Sequence, residues 1–471
     1  MKEPKNGKSR SAAGQRSSRR SKTQEAKPAR PVRSPGPPPE GLFRDIALAP
    51  EREQVPEAAP VVSISKEDEP AYLDEVGRRS EERILLRRRG VYCGEVAVLR
   101  PEGLLPPRPR RRRREVILRE RWGSASPILL PGALTGARAS LASAGLEGLF
   151  KDLHQPGGLA AFLEAKRGRL GPEFDAPPEA AELADPERDI ERVSLASPAG
   201  ERELWLKTGR LSTHEGDRSL RLRLSFGVEG DEDNSDDEAA HGRVGELAAR
   251  LLPGARSLAG NIDLRRLLEG LAQRKLLFTQ HIAYWNTPQG GARFHHDAFD
   301  QEPGSGQLGV VYAQLTGSTL WLTLSIEDLQ QRVREFVGWL AGGDMDWLRA
   351  SLESSWKDIQ QAVERRASCL AELAKPSCGV FAGFVDGPEF STYLADAGNA
   401  LYLKPGDVLV LPNHGLERTA MHSVFSASNG PGYALSVALR GVGPSLASFP
   451  AEPSYPSEAP AGDEDSEEPG E

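Results

Sequence analysis

The chain has only eight histidines among 471 residues, yet two stand side by side in "ARFHHDAFD", residues 292–300, immediately before Asp297. In a strand, residues i and i+2 share a face. His295 and Asp297 are therefore expected to project together, with His296 on the other side. An imidazole and a carboxylate on one face are two of the three protein ligands of a mononuclear non-haem iron site, which leaves the opposite positions open to a cosubstrate and dioxygen. The third ligand has to come from a neighbouring strand, and only His414 and His422 lie downstream. His422, in "AMHSVFS", reads as an inward-facing residue at the entry to a strand. His414 sits in "PNHGLE", a Pro, Asn and Gly turn in which a solvent-exposed histidine is the ordinary outcome. His422 is preferred.

The elements that must position these residues are strands. From Leu277 onward, "LFTQHIAYWNT", "ARFHHDAF", "LGVVYAQLTG" and "TLWLTLS" carry the alternation and the β-branched and aromatic content of strands, and "ALYLKPGDVLVLP", "MHSVFSA" and "YALSVALRG" resume it later. Between them, from Ile326 to about Leu373, an amphipathic helical segment carries Trp339, Trp347 and Trp356, read as core or packing residues. A strand-rich block with a helical insert fits a small barrel of short antiparallel strands.

Upstream, "LASAGLEGLFKDL", "GGLAAFLEAKRG", "HGRVGELAARLLPG" and "NIDLRRLLEGLAQRKL" have helical periodicity. "ELWLKTGRLS" and "SLRLRLSFGV" alternate like half-buried strands around the turn-like "THEGDR". The region before residue 115 is poorly patterned apart from "GVYCGEVAVL". The run "RPRRRRREVILRERW" holds the densest positive patch, Arg108 and Arg110 to Arg114. It has no interleaved aromatics or reading motif, so a solvated linker or an internal acid-binding surface is preferred to a nucleic-acid contact. The acidic run from Glu229 to Glu238 lacks the mid-loop Gly and closing Glu of a calcium loop and reads as a solvated loop.

Composition bounds the rest. A content of 38% hydrophobic and 6% aromatic residues is low for a chain folded throughout. Residues 1–40 carry eleven Lys and Arg against three Glu, a net +8 in a Ser, Pro and Gly background, and residues 451–471 carry eight acids and no base. Neither tail can bury a core. The expected organisation is a disordered basic region over 1–80, a mixed α/β region over 81–262 packing on the barrel, the barrel over 263–445 with its insert at about 326–373, and a disordered acidic tail over 446–471. No apolar run approaches the roughly 20 residues a membrane span needs, and the basic N-terminus has no secretory apolar core. Cys93, Cys369 and Cys378 have no CxxC spacing, which argues against a disulfide framework or a zinc knuckle. A soluble protein of the reducing cytoplasm is expected.

Taken together, "YWNTPQGGARFHHD", "VVYAQLTGSTLW" and "LKPGDVLVLP" with a following histidine resemble the JmjC and cupin-like branch of the iron and 2-oxoglutarate oxygenases, in its ribosomal-oxygenase flavour. The resemblance covers about Leu277 to Arg440. It implies an α+β chain built on a double-stranded β-helix, the cupin or jelly-roll barrel, and an Fe(II) enzyme that uses 2-oxoglutarate to hydroxylate a protein or peptide side chain, or else a small molecule. His295, Asp297 and His422 would hold the metal, with no further catalytic residue, and Tyr284 would line the cosubstrate pocket. Gln314, Gly317 and Trp321 would be structural, and Pro405 to Asp407 would form a turn. Two departures stand out. The family's lysine, which pairs with the far carboxylate of 2-oxoglutarate, is Thr319 here, so the cation has to come from elsewhere: Arg440 first, supported by the Thr319 hydroxyl, then Arg293 and Arg418. The segment between Pro412 and His422 is longer than the family's short turn, which keeps His414 open as a third ligand. The other reading of such a chain is a metal-binding cupin that does not use 2-oxoglutarate and serves as a binding module.

Overall fold

The computed structural model describes residues 83–89, 91–97, 111–134, 143–171, 179–183, 185–195, 204–226, 238–298, 307–343 and 345–442. The basic and acidic tails, the start of the arginine run and the acidic run up to residue 237 lie outside the described residues.

Fifteen strands are described: β1 (Arg83–Arg88), β2 (Val91–Ala97), β3 (Ile128–Leu130), β4 (Glu179–Ala180), β5 (Asp189–Leu195), β6 (Leu204–Arg210), β7 (Leu220–Phe226), β8 (Lys275–Asn286), β9 (Gly291–His295), β10 (Gln307–Thr316), β11 (Thr319–Ser325), β12 (Ala400–Leu403), β13 (Val408–Pro412), β14 (Ala420–Ser426) and β15 (Gly432–Val442). They form a β1-β2 hairpin, a nine-stranded sheet in the order β3-β13-β10-β15-β8-β7-β6-β5-β4, and a four-stranded sheet in the order β12-β11-β14-β9. Every pairing is antiparallel. Two large antiparallel sheets with helices are compatible with a jelly roll.

The sheets face each other across a small core. Leu129, Tyr312, Leu409, Leu411 and Ala434 of the larger sheet cluster with Trp321, Leu401, Leu403 and Val424 of the smaller one. The far face of the larger sheet carries Leu206, Leu222, Leu224, Val437 and Leu439 into a core with the upstream helices, including Ser143–Leu153, Glu238–Leu251 and Ile262–Ala272. The far face of the smaller sheet carries Leu320, Leu322, Phe294 and Phe425 against the helical segment.

β15 shows how the alternation makes room for a site. Leu435, Val437 and Leu439 face the helices, and Ala434, Ser436, Ala438 and Arg440 take the side toward the smaller sheet. Large residues fill one side, and small ones leave space on the other. Two glycines close the site's strands together. Gly317 turns the chain from β10 to β11 at φ +66, and a Cβ there would sit 2.6 Å from the Gly432 Cα. Gly291 has φ +147, and a Cβ there would overlap the Val424 carbonyl oxygen.

Several local expectations change. The helical segment runs past residue 373, in short turns, to Asn399. Trp347 is 61% exposed rather than core, whereas Trp356 packs on the apolar cluster and Trp339, though 45% exposed, stands edge-on to Tyr393 at 4.8 Å. The arginine run does not stay a linker: Arg111–Gly123 is a helix that buries Leu118 and Trp122. β6 is covered on both faces, including Lys207, which pairs with Asp189 at 3.3 Å. The larger sheet also runs across residue 263, because β7 pairs with β8. Among the described residues no helix is long and apolar enough to cross a membrane.

Candidate metal centre

β9 and β14 are neighbours, and His295 lies directly opposite His422. Their rings are 4.1 Å apart between centroids. β9 ends at His295, so strand periodicity is not what aligns Asp297. The chain leaves the sheet and brings the carboxylate back, with Oδ1 4.0 Å from His295 Nε2 and Oδ2 3.7 Å from His422 Nε2. One ligand atom from each of the three residues lies within 4.8 Å of the others. Cis donors at about 2.1 Å from one ion stand about 3 Å apart, so closing the trio takes a shift of about 1 Å. The side chains of His295 and Asp297, 40% and 37% exposed, are free to make it, while that of His422 is 4% exposed and fixed.

The hydrogen bonds decide which nitrogens are available. His295 Nδ1 meets the Arg293 carbonyl at 2.7 Å and must donate to it, which leaves Nε2 as the ring nitrogen on the side of Asp297. His296 is used up elsewhere: Nε2 donates to the Ala374 carbonyl at 2.9 Å and Nδ1 accepts from the Ala298 amide at 3.1 Å. Burial pushes His422 down to about 3, with His295 adding to the fall and Asp297 opposing it, so its imidazole is neutral. Two imidazoles and one carboxylate on one side of a point form the donor set of the facial triad, which suits Fe(II). His414 is not in this group. Its Nε2 donates to the Trp122 carbonyl at 2.8 Å, and its ring stands edge-on to Trp122.

Aromatic rings wall the centre. Trp321 lies 5.3 Å from His422, Tyr312 4.7 Å from Trp321, and Tyr284 5.8 Å from Tyr312. The Tyr284 hydroxyl accepts from Ser436 Oγ at 3.3 Å. Burial raises its pKa and so does nearby Asp297, against the pull of Ser436, Arg221 and Arg223. Thr319 is fully buried in a neutral network: its hydroxyl donates to Gln314 Oε1 at 2.8 Å and accepts from Trp321 Nε1 at 2.9 Å, and Tyr312 also donates to that Gln314 oxygen at 3.0 Å. Gln314 and Trp321 are therefore wall residues of the centre as well as supports. The turn at Pro405 to Asp407 does more than reverse the chain, since Asp407 accepts from the Gly132 and Lys404 amides at 2.7 and 2.8 Å.

Thr319 and Arg440 do not meet. Gln314, which binds Thr319, pairs with Ala434, and Arg440 lies six residues further along β15, about 20 Å at the rise of a strand. Arg440 shares its side of the strand with Ser436, but Tyr284 too lies opposite Ala434, so Arg440 is as far along β15 from Tyr284 as from Gln314. Arg293 is exposed, and Arg418 donates to the Gly123 carbonyl, away from the centre.

Two groups of residues went unread in the sequence. Arg221 and Arg223 lie across from Tyr284 and Ile282, so they share the pocket side of the sheet. The alternation of "SLRLRLSF" already put both on one face, but not which face. Behind the centre, Arg88 donates to Asp386 at 3.0 Å, to Ser423 Oγ at 2.6 Å and to the Val424 carbonyl at 3.3 Å. Asp386 accepts the Phe294 amide at 3.1 Å. No local pattern could have linked residues 298 positions apart.

No protein-family model matches the chain, and no curated protein matches it. Among solved structures, several of Escherichia coli YcfD are similar to it. A structure of YcfD described as a ribosomal oxygenase is 14% identical, over 62% of this chain and 45% of that one, with a TM-score of 0.20. An X-ray structure of the same protein is 13% identical, over 68% and 50%, with a TM-score of 0.23. Its complex with cobalt and 2-oxoglutarate is 14% identical, over 67% and 48%, with a TM-score of 0.22. The chain spans about half the length of the YcfD chains it matches, and overlap this slight has no bearing on the site.

Proposed function

We propose that this chain is a non-haem Fe(II) and 2-oxoglutarate-dependent dioxygenase on a double-stranded β-helix, hydroxylating a protein or peptide side chain. The observation that carries the reading is the convergence of His295, Asp297 and His422, two imidazole nitrogens and a carboxylate around one point. Fe(II) and 2-oxoglutarate held there would supply the activation of dioxygen and the insertion of one oxygen atom into a substrate C–H bond. The chain's own part is geometry and exclusion of water. His422 is the fixed ligand, while His295 and Asp297 form the half-exposed edge, the side on which a polypeptide can present a residue. Trp321, Tyr312 and Tyr284 keep water from the buried side.

For the cosubstrate, Tyr284 and Ser436 offer hydroxyls, and the far carboxylate needs a cation because burying it unpaired is costly. Arg440 is the candidate on β15 and Arg221 the candidate on β7; a guanidinium at either place can grip a carboxylate bidentately. Thr319 would only border this pocket. Cys93, Cys369 and Cys378, all buried thiols, suit a reducing cytoplasm.

The neutral, self-satisfied network at Thr319 favours a second reading, a metal-binding cupin that takes no 2-oxoglutarate. Anaerobic titration of the protein with Fe(II) and then 2-oxoglutarate separates the two. A weak visible charge-transfer band on adding the cosubstrate is the expected result. Iron binding with no such band selects the metal-binding cupin, and no iron binding removes both.

A further inference from the structure

A regular strand cannot turn both Ala292 and His295 to the same side, because three positions separate them. Here both do face the pocket: Ala292 packs with the core between the sheets, and His295 faces His422. The reconciliation is an extra residue in β9. From His422 to Val424, β14 advances two residues while β9 goes from His295 to Ala292, three. Such a bulge leaves the ladder locally unmade and re-aims the side chains beyond it.

The amide freed by the bulge is that of Phe294, which points at the Asp386 carboxylate, 3.1 Å from Oδ1 and 3.3 Å from Oδ2. Asp386 is held in turn by Arg88 at 3.0 Å, and the same guanidinium reaches across to Ser423 Oγ and the Val424 carbonyl on β14. Ser423 Oγ also lies 3.2 Å from the Ala292 carbonyl. Arg88 is 4% exposed and stacks over the Phe425 ring, 4.2 Å from its centroid. One buried ion pair therefore touches the residue before His295 and the residue after His422. The next residue, Arg89, fixes the other end of β9 by donating to the Gly291 carbonyl at 3.2 Å and to Asp217 at 3.1 Å.

We infer that Arg88 and Asp386 are positioning residues: the pair holds the β9 bulge and its register on β14, and so sets the spacing between His295 and His422. This rests on the metal reading of the centre. The pair touches none of the three ligand side chains, so its effect has to travel through the backbone of the two strands.

The test is Co(II) titration of the full-length protein, read by the visible d–d absorption of the bound ion and set beside thermal melting. Replacing a buried ion pair by apolar groups of similar volume is often neutral for stability. The double variant Arg88→Met/Asp386→Leu is therefore expected to melt close to the parent while its Co(II) affinity falls about ten- to hundredfold, the usual loss for groups that orient a metal's ligands. Asp386→Asn keeps an oxygen for the Phe294 amide and should lose only a few-fold, with the d–d bands little moved. If the double variant binds Co(II) within about twofold of the parent, with the same spectrum, the inference is overturned. The same holds if Asp386→Asn loses as much as the double variant. Should the double variant not fold, Asp386→Asn and Ser423→Ala decide: affinity unchanged in Ser423→Ala and collapsed in Asp386→Asn sinks the backbone route. A parent that binds no Co(II) counts against the metal centre itself, a separate result.

Discussion

Among the described residues, two pairs of histidines lie one on each side of the larger sheet, and in each at least one imidazole is buried. His241 and His281 meet under the helix Glu238–Leu251, where both are 3% exposed, His241 stands edge-on to Phe226, and burial with His241 nearby pushes His281 down to about 4. His295 and His422 meet between β9 and β14, and burial does the same to His422. Desolvation therefore does not tell a site from a core. The difference lies in the third group and in access: a carboxylate closes on the second pair and one imidazole is half-exposed, whereas no acid is among the groups that shift His281. A neutral imidazole is a ligand only where something complements a cation and something can enter.

The largest expected effect separates the two pairs directly. His422→Ala should lower Co(II) affinity by more than about a hundredfold, beyond what loss of an orienting group costs, with the fold retained. His281→Ala should leave that affinity unchanged. Equal metal affinity in the parent and His422→Ala, measured by titration, would erase the distinction.

Acid stability sharpens the comparison next. The folded value of His281, about 4, lies below the ordinary 6.5, so the unfolded chain binds more protons between those limits. Stability is fully present above pH 6.5 and is lost as pH falls toward 4, by about 3 kcal/mol from this group. Urea unfolding of His281→Gln across that window should show a correspondingly shallower decline than the parent. A parallel decline would mean that His281 is not the group responsible.

The smallest effect is expected at the nearest neighbour in sequence. His296→Ala removes hydrogen bonds to the backbone at Ala374 and Ala298 and should change Co(II) affinity by less than about twofold. A large loss there would place His296, not His295, on the metal.

What could be read from the sequence was what alternation and turn chemistry carry. The strands from β8 to β15 and the choice of His422 over His414 follow from local pattern, and the structure brings His295, Asp297 and His422 together, although Asp297 reaches the site from beyond the end of β9 and not by strand alternation. What escaped depends on contacts far apart in the chain. Arg88 looked like one arginine among many in a poorly patterned region, and its partner Asp386 lies 298 positions away, between two short helices late in the helical segment. Trp347 was misread because an amphipathic helix says which face is apolar, not whether that face is fully covered. The distance between Thr319 and Arg440 depends on strand register, which no single stretch reveals.

The pairing of β9 with β14 also governs when the centre can form. His295 and His422 are adjacent in space but 127 residues apart along the chain, with the helical segment between them. Translation at about 5 to 20 residues per second delivers the second histidine roughly 6 to 25 s after the first. Leu130 waits longer still for Val408, its partner in the larger sheet. Topologies dominated by such distant pairings fold slowly, and their strand edges stay open to other chains meanwhile. The trio of His295, Asp297 and His422 can therefore assemble only once β14 has been made, and β9 and β10 wait until then for the partners that β13, β14 and β15 give them.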